Sequence, residues 1–213
     1  MIRAIVLAAG LSRRMGEENK LLLPFGGSTV LETTIGNILT AELGETVVVV
    51  GHEADSVLSV LNKYPHRVLG VKNLITTLNL DYETGMTSSI QAGVRVAEND
   101  DKTHYMICLS DMVLIQPAEY QYLKNQFLDI LKRDDKAIVL PVFNGKKGNP
   151  VIFSHFYKND ILNLTYTEGG KPIVQANPDS VYFVEMPSDS VLKDMDNKAD
   201  YERMLKEYED SLP

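Results

Sequence analysis

Short apolar runs alternate along this chain with longer amphipathic segments. Ile2 to Leu7 is rich in branched side chains and ends at a Gly-containing turn, which predicts a buried strand. From Thr29 apolar side chains recur at helical spacing, and Gly44 supplies a stop before a second strand at Val47 to Val50. These elements form one β-loop-α-β unit, which is typical of parallel α/β proteins.

The same alternation continues to the last predicted helix. A helix around Val57 and Leu61 precedes a strand near Val68 to Val71, and uninterrupted apolar runs indicate a sheet covered on both faces. We therefore predict a three-layer α/β/α Rossmann-like fold with a mostly parallel, partly mixed sheet. Further predicted elements are a helix after Gly85 capped by Thr87 or Ser88, strands at Tyr105–Leu109, Ala137–Val142, Val181–Val184 and Val191–Met195, a helix from Pro117, a hairpin partner or crossover strand at Val151–Phe153, and a helix opened by Asn197–Asp200.

Length and composition narrow the class of protein. The 213 residues, 44% of them hydrophobic, suit one domain over residues 1–213. A net charge of −8 disfavours a nucleic acid partner. The single cysteine, Cys108, lies in an apolar run and excludes an internal disulfide, and the first apolar run stops at Ala9, far short of a membrane span. We expect a soluble cytoplasmic protein without a membrane partner.

The loop after the first strand is small, flexible and cationic. Gly10 and Gly16 permit close backbone approach, while Arg13, Arg14 and Lys20 place positive charge within reach of phosphate oxygens. Backbone amides in this loop can form a nest for phosphates. The spacing fits neither the P-loop nor the dinucleotide fingerprint. The loop is predicted to bind a polyphosphate, with a solvated surface loop as the alternative.

A second candidate site follows the strand Tyr105 to Leu109. Asp111 comes directly after this strand, and ligands of open α/β sheets collect at the carboxyl ends of strands. Mg²⁺ prefers oxygen ligands and keeps several waters, so one or two carboxylates suffice. Asp111 is therefore the first candidate ligand, with a turn or helix cap ahead of Pro117 as the alternative. The four scattered histidines are not expected to be catalytic.

The chain resembles the nucleotidyltransferases related to molybdenum cofactor cytidylyltransferase and guanylyltransferase. The similar blocks occur in family order and span nearly the whole chain. They are Leu7 to Pro24, Gly85 to Ile90 with Gly93, Leu109 to Met112, Gly148 to Phe153, and Asp194 to Asp196 before a helix. Ala8-Ala9-Gly10 looks more like the cytidylyltransferase branch.

This resemblance implies a Mg²⁺-dependent nucleotidyltransferase that moves a nucleoside monophosphate, CMP from CTP, onto a molybdopterin-type cofactor phosphate and releases pyrophosphate. It implies a nucleotidyltransferase fold whose N-terminal part binds nucleotide and whose C-terminal part binds the acceptor. Lys20, Arg13 and Asp111 would be catalytic, and Asp196 would join Asp111 as a metal ligand, although a helix cap suits Asp196 equally. The expected nucleotide-binding residues are Leu7, Ala8, Ala9, Gly10, Ser12, Arg13, Arg14, Lys20, Gly85, Ser88 and Ser89.

The acceptor side departs from the family pattern. Asn149 stands where relatives often have histidine, and an expected arginine is absent near Lys171. We expect Asn149 and Lys171 to contact the acceptor, with Lys146 and Lys147 as the alternative to Lys171. A molybdoenzyme or its maturation factor would be a further partner. The alternatives are transfer to a sugar phosphate or phosphorylated alcohol, and a noncatalytic binder of nucleotide or cofactor, which Lys20 and Asp111 disfavour.

Overall fold

The computed structural model describes residues 1–12, 15, 18–62, 74–96, 102–165 and 167–210. Its strands are β1 (Ile2–Ala8), β2 (Pro24–Phe25), β3 (Ser28–Thr29), β4 (Gly44–Val50), β5 (Leu74–Leu78), β6 (His104–Leu109), β7 (Ile138–Phe143), β8 (Lys146–Lys147), β9 (Val151–Phe153) and β10 (Val181–Glu185). Its α-helices are α1 (Val30–Thr40), α2 (Ala54–Leu61), α3 (Met86–Arg95), α4 (Pro117–Leu131), α5 (Lys158–Leu162), α6 (Lys171–Ala176) and α7 (Lys198–Asp210). The predicted strand at Val68 to Val71 lies outside the described residues.

The central sheet is mixed, as predicted. Among the described residues its strands run in the order β10-β7-β9-β6-β1-β4-β5, with β8 paired to β7. Strand β1 is parallel to both β4 and β6, so the ends of these three strands lie side by side. Strand β9 is antiparallel to β6 and to β7, which makes Val151–Phe153 part of the sheet rather than a parallel crossover strand.

Apolar side chains on the two faces of the sheet pack under separate helical layers. Ala4 and Val6 of β1 belong to one core with α1, α2, α4 and α7, while Ile5 between them packs under α3, α5 and α6. This alternation follows from the two-residue period of a strand. The three-layer α/β/α architecture is thereby confirmed. No helix within the described ranges is long and apolar enough to cross a bilayer.

Two local predictions were wrong. Neither Thr87 nor Ser88 caps α3 with its side chain, because Gly85 occupies the cap and the Thr87 hydroxyl instead accepts a bond from the Gly169 N–H at 3.0 Å. Val191 to Met195 is not a strand: a 3-10 turn covers Asp189–Leu192. The apolar pattern there reflects burial of Val191 and Met195 rather than pairing in the sheet.

Candidate active site

A cleft of about 530 Å³ opens where β1 and β6 end. The loop after β1 supplies Ala9 to Ser12, and the residues after β6 supply Ser110 and Asp111. The Ser110 hydroxyl donates to the Leu7 carbonyl at 2.6 Å, which joins the two strand ends directly. The cleft therefore lies at the carboxyl edge of the parallel strands, as the sequence predicts.

Lys20 reaches the cleft from a 3-10 turn. Asn19 caps this turn by accepting from the Leu21 N–H at 3.1 Å. The Lys20 ammonium forms an ion pair with the Asp111 carboxylate and donates to the Met195 carbonyl at 2.8 Å. Three distant parts of the chain thus meet at one cation.

Asp111 is held by a well-anchored loop. It is 6% exposed, and the residues that follow it are buried. The side-chain amide of Asn37, on α1, donates to the carbonyls of Val113 at 3.4 Å and Ile115 at 3.0 Å. These bonds fix the loop that carries the Asp111 carboxylate. Asp111 is not the cap of α4, because Gln116 and Glu119 cap that helix.

Asp194 and Asp196 face the cleft beside Asp111. Desolvation raises the pKa of the Asp194 carboxyl above its usual range, and the charges of Asp196 and Asp111 raise it further. Carboxylates gathered in this way suit an added cation, which would offset their mutual repulsion. Among the described side chains no group of three or more His, Cys, Asp or Glu is placed to hold a metal ion together, so a metal here would take one or two protein carboxylates. The donor set fits Mg²⁺, which needs few protein ligands.

Sequence reasoning did not select Asp194, although it lies in the same acidic block as Asp196. From the sequence alone, Asp196 could equally be a metal ligand or a helix cap. In the structure Asn197 provides the cap, since its side-chain oxygen accepts from the Asp200 N–H at 3.1 Å. The Asp196 N–H donates to the Asp200 carboxylate at 3.3 Å, and Asp196 also lines the cleft.

The opposite wall comes from the turn before α3 and from its first residues. The cleft-facing members of this wall are Tyr82, Glu83, Gly85, Met86 and Ser89. Ser88 does not line the cleft: its hydroxyl shares its one proton between the carbonyls of Asp81 and Gly85, each 2.9 Å away, and accepts from Asn79. Asn79 also donates to Ser89 at 3.0 Å. Asn79 was not selected from sequence and organises this wall.

Ser12 combines an unusual backbone with a buried hydroxyl. Its φ is +48°, in the left-handed region that non-glycine residues seldom adopt. The hydroxyl is buried and has no hydrogen-bond partner among the described residues. A strained polar residue facing a cleft is the kind of group that a ligand satisfies.

The other predicted site residues fall in different places. Leu7, Ala9, Gly10, Ser12, Lys20, Gly85, Ser89, Asp111 and Asp196 line the cleft, whereas Ala8 and Ser88 do not. Arg13 and Arg14, with Gly16, lie outside the described residues. Asn149 and Lys171 are not part of the cleft wall. The Asn149 N–H donates to the Val191 carbonyl at 2.9 Å, and exposed Lys171 pairs with Glu168 at 3.6 Å.

Comparisons with known proteins agree on the fold. The profile of the MobA-like NTP transferase domain matches residues 4–181. A probable molybdenum cofactor guanylyltransferase of Methanosarcina acetivorans is 29% identical over 173 residues, 79% of this chain and 69% of the relative. A solved nucleotidyl transferase from Methanothermobacter thermautotroptrophicus superposes with a TM-score of 0.82 at 23% identity, covering 100% of this chain and 99% of that one.

One further relative carries a different activity in its name. A nicotine blue oxidoreductase of Paenarthrobacter nicotinovorans is 33% identical over 110 residues, which cover 52% of this chain. The matched part spans 49% of that relative, about half its length. The likeness therefore extends to part of that protein.

Proposed function

Because the chain belongs to the MobA-like NTP transferase family, we propose that it transfers CMP from CTP to the phosphate of a molybdopterin-type cofactor and releases pyrophosphate. The observation that carries this proposal is the meeting of Lys20 and Asp111 in one cleft with two further carboxylates. A passive nucleotide binder has no need of carboxylates beside a triphosphate, since the charges repel without a metal.

The proposed reaction is a displacement at the α-phosphorus. An oxygen of the acceptor phosphate attacks this atom, the bond to the bridging oxygen breaks, and pyrophosphate leaves with the electron pair. The acceptor phosphate is already ionised near neutral pH, so no Ser, Cys or His nucleophile is required. Positioning and charge neutralisation can carry the step.

The residues divide the work by charge. Lys20 offsets negative charge that develops on the triphosphate, and Ser12 with the backbone amides of its loop binds phosphate oxygens. Asp111 and Asp196, with Asp194 beside them, would hold Mg²⁺, which when bound supplies positive charge for the phosphate oxygens. The arginines at positions 13 and 14 remain predicted phosphate ligands.

A second acceptor class has a specific observation in its favour. Asn149, predicted to meet the acceptor, is tied by its backbone to Val191, and neither it nor Lys171 lines the cleft. The two residues predicted from sequence to contact a molybdopterin acceptor therefore lie outside this cleft. Transfer to a sugar phosphate or a phosphorylated alcohol is the alternative. The molybdenum cofactor guanylyltransferase relative supports the first acceptor, while Ala8-Ala9-Gly10 supports CTP over GTP.

The test measures pyrophosphate release with Mg²⁺, each nucleoside triphosphate in turn, and either molybdenum cofactor or a panel of phosphorylated metabolites. Release with CTP and the cofactor supports the proposal. Release with GTP instead of CTP would show that the nucleotide assignment is wrong. Release with another phosphorylated metabolite instead of the cofactor would show that the acceptor assignment is wrong. Tight nucleotide binding without turnover on any acceptor indicates a noncatalytic relative.

A matched pair of variants tests the metal assignment. Asp111→Asn should abolish the Mg²⁺-dependent rate, because one cleft carboxylate is lost. Asp129→Asn is the control, since its carboxylate is 67% exposed and pairs with neighbouring Lys132. Full Mg²⁺-dependent activity in Asp111→Asn would show that Asp111 is not a ligand.

A further inference from the structure

The two ends of the cleft differ in chemistry, and β1 divides them. Lys20, Asp111, Asp194 and Asp196 gather on the side of β1 that pairs with β6. The other side is lined by the turn that follows β5, which supplies the aromatic residue Tyr82 together with Glu83. A nucleoside triphosphate has the same polarity, with a charged phosphate end and a flat aromatic end.

The Tyr82 side chain packs closely against Gly51. Gly51 follows β4 directly, and a β-carbon placed on it would lie 2.7 Å from the Tyr82 β-carbon and 2.8 Å from the Ala9 β-carbon. Tyr82 is therefore packed directly against the backbone at the end of β4, and Ala9 lies on another side of the same glycine. The His52 ring lies beside it, with centroids 6.2 Å apart and planes tilted by 47°.

The backbone that carries Tyr82 is also constrained. The Asn79 N–H donates to the Val50 carbonyl at 2.8 Å, and the Asp81 N–H donates to the Asn79 side-chain oxygen at 3.0 Å. The Thr84 hydroxyl closes the turn by donating to the Asp81 carbonyl at 2.7 Å. The ring of Tyr82 thus stands on a braced turn and can act as a rigid surface.

We propose that Tyr82 is the stacking platform for the nucleobase of the bound triphosphate. The inference rests on the proposed nucleotidyl-transfer function. Every base has an aromatic face that can stack on the tyrosine ring. Because the Tyr82 side chain packs against Gly51, its ring is held in place before nucleotide binds, and stacking on it costs little side-chain freedom.

The experiment measures CTP binding with Mg²⁺ by calorimetry, in the absence of any acceptor. Tyr82→Ala should raise the Kd for CTP about 10- to 100-fold, the range expected for loss of one base–aromatic stack. Tyr82→Phe should retain wild-type affinity, because the ring remains.

Tyr82→Leu separates stacking from bulk, because leucine fills space without a ring. We expect it to bind CTP as weakly as Tyr82→Ala does. The cytosine H5 and H6 resonances of bound CTP should shift upfield with the wild type and Tyr82→Phe, and should lose that shift with Tyr82→Leu. An unchanged CTP Kd in Tyr82→Ala, or wild-type resonance shifts in Tyr82→Leu, overturns the platform assignment.

The outcome for the stacking platform is separate from the outcome for the proposed function. If Tyr82→Ala binds CTP normally and the protein still releases pyrophosphate, the platform assignment is wrong and the proposed function is retained. Loss of CTP affinity in Tyr82→Ala, with no turnover by the wild type on any acceptor, supports the platform and refutes nucleotidyl transfer.

Discussion

Lys20 and Asp111 are separated by 91 positions in sequence and form an ion pair in the cleft. Their side chains are largely buried, at 18% and 9% exposure, so water screens the pair only weakly. Each therefore compensates the charge of the other before any nucleotide arrives. Binding of a triphosphate with its metal would give each of them a new partner of opposite charge.

Replacing Lys20 tests the contribution of its charge to turnover. Lys20→Gln should lower the rate of pyrophosphate release about 10²- to 10³-fold, the usual effect of removing one donor that stabilises charge in a transition state. The fold should persist, since the core lies elsewhere. The matched control is Lys132→Gln, whose ammonium is 76% exposed and pairs with Asp129. Equal rates in the two variants would remove Lys20 from the mechanism.

Variants of Asp196 and of its neighbour Asn197 should distinguish metal binding from capping of α7. Asp196→Asn should raise the Mg²⁺ concentration needed for half-maximal activity, because a cleft carboxylate is lost. Asn197→Ala should instead lower the free energy of unfolding by about 1 kcal/mol through loss of the cap of α7, with the Mg²⁺ requirement unchanged. Magnesium titrations and urea unfolding of both variants provide the measurements. A stability loss confined to Asp196→Asn would assign the cap to Asp196.

Substitution of Gly10 should impair nucleotide binding without affecting stability, whereas substitution of Gly93 should lower stability. A β-carbon on Gly10 would meet no atom of the described residues within 4 Å, so Gly10→Ala should unfold at the wild-type temperature. It should still raise the nucleotide Kd about tenfold or more, because the methyl group obstructs close approach of phosphates to the backbone. Calorimetric melting and nucleotide titration together check this pair of outcomes.

Gly93→Ala is the structural counterpart. Its β-carbon would lie 2.4 Å from Ile5 Cγ2, at the contact between α3 and β1. Overpacking of this kind costs about 1–3 kcal/mol, which should appear as a lower melting temperature. If Gly10→Ala proved the less stable of the two, the described geometry of the loop would be wrong.

Cys108 should be unreactive in the folded protein. Burial in β6 raises the pKa of its thiol far above the usual range, and only the thiolate attacks disulfide reagents. We expect no reaction with a disulfide reagent at pH 8 until denaturant is added, and then one thiol per chain. Rapid labelling of the native protein would indicate that β6 opens locally.

Sequence patterns predicted elements whose determinants are local. Helix α1 begins with a capping box in which Thr29 and Glu32 exchange hydrogen bonds at 3.2 and 3.0 Å, and its apolar face follows helical spacing. Strand β1 is one residue longer than predicted. Both depend on neighbours within a few positions, which sequence alone displays.

Features that depend on distant pairing were not accessible in the same way. Nothing in Val151–Phe153 specifies insertion between β6 and β7, because strand partners are chosen by the whole sheet. Val191 is apolar because it is buried, and its carbonyl accepts from the Asn149 N–H instead of from a strand. Asp194 became a candidate only when the fold placed it beside Asp111 and Asp196.

The bond from Lys20 to the Met195 carbonyl joins positions that are 175 residues apart. During vectorial synthesis the phosphate-binding loop emerges early, whereas Asp194 and Asp196 emerge long after it. A nascent chain that has formed β1 but not the segment after β10 therefore lacks this backbone anchor and two of the cleft carboxylates. The complete cleft should consequently form only when the segment after β10 has folded. Nucleotide affinity can therefore serve as a probe of this last folding step.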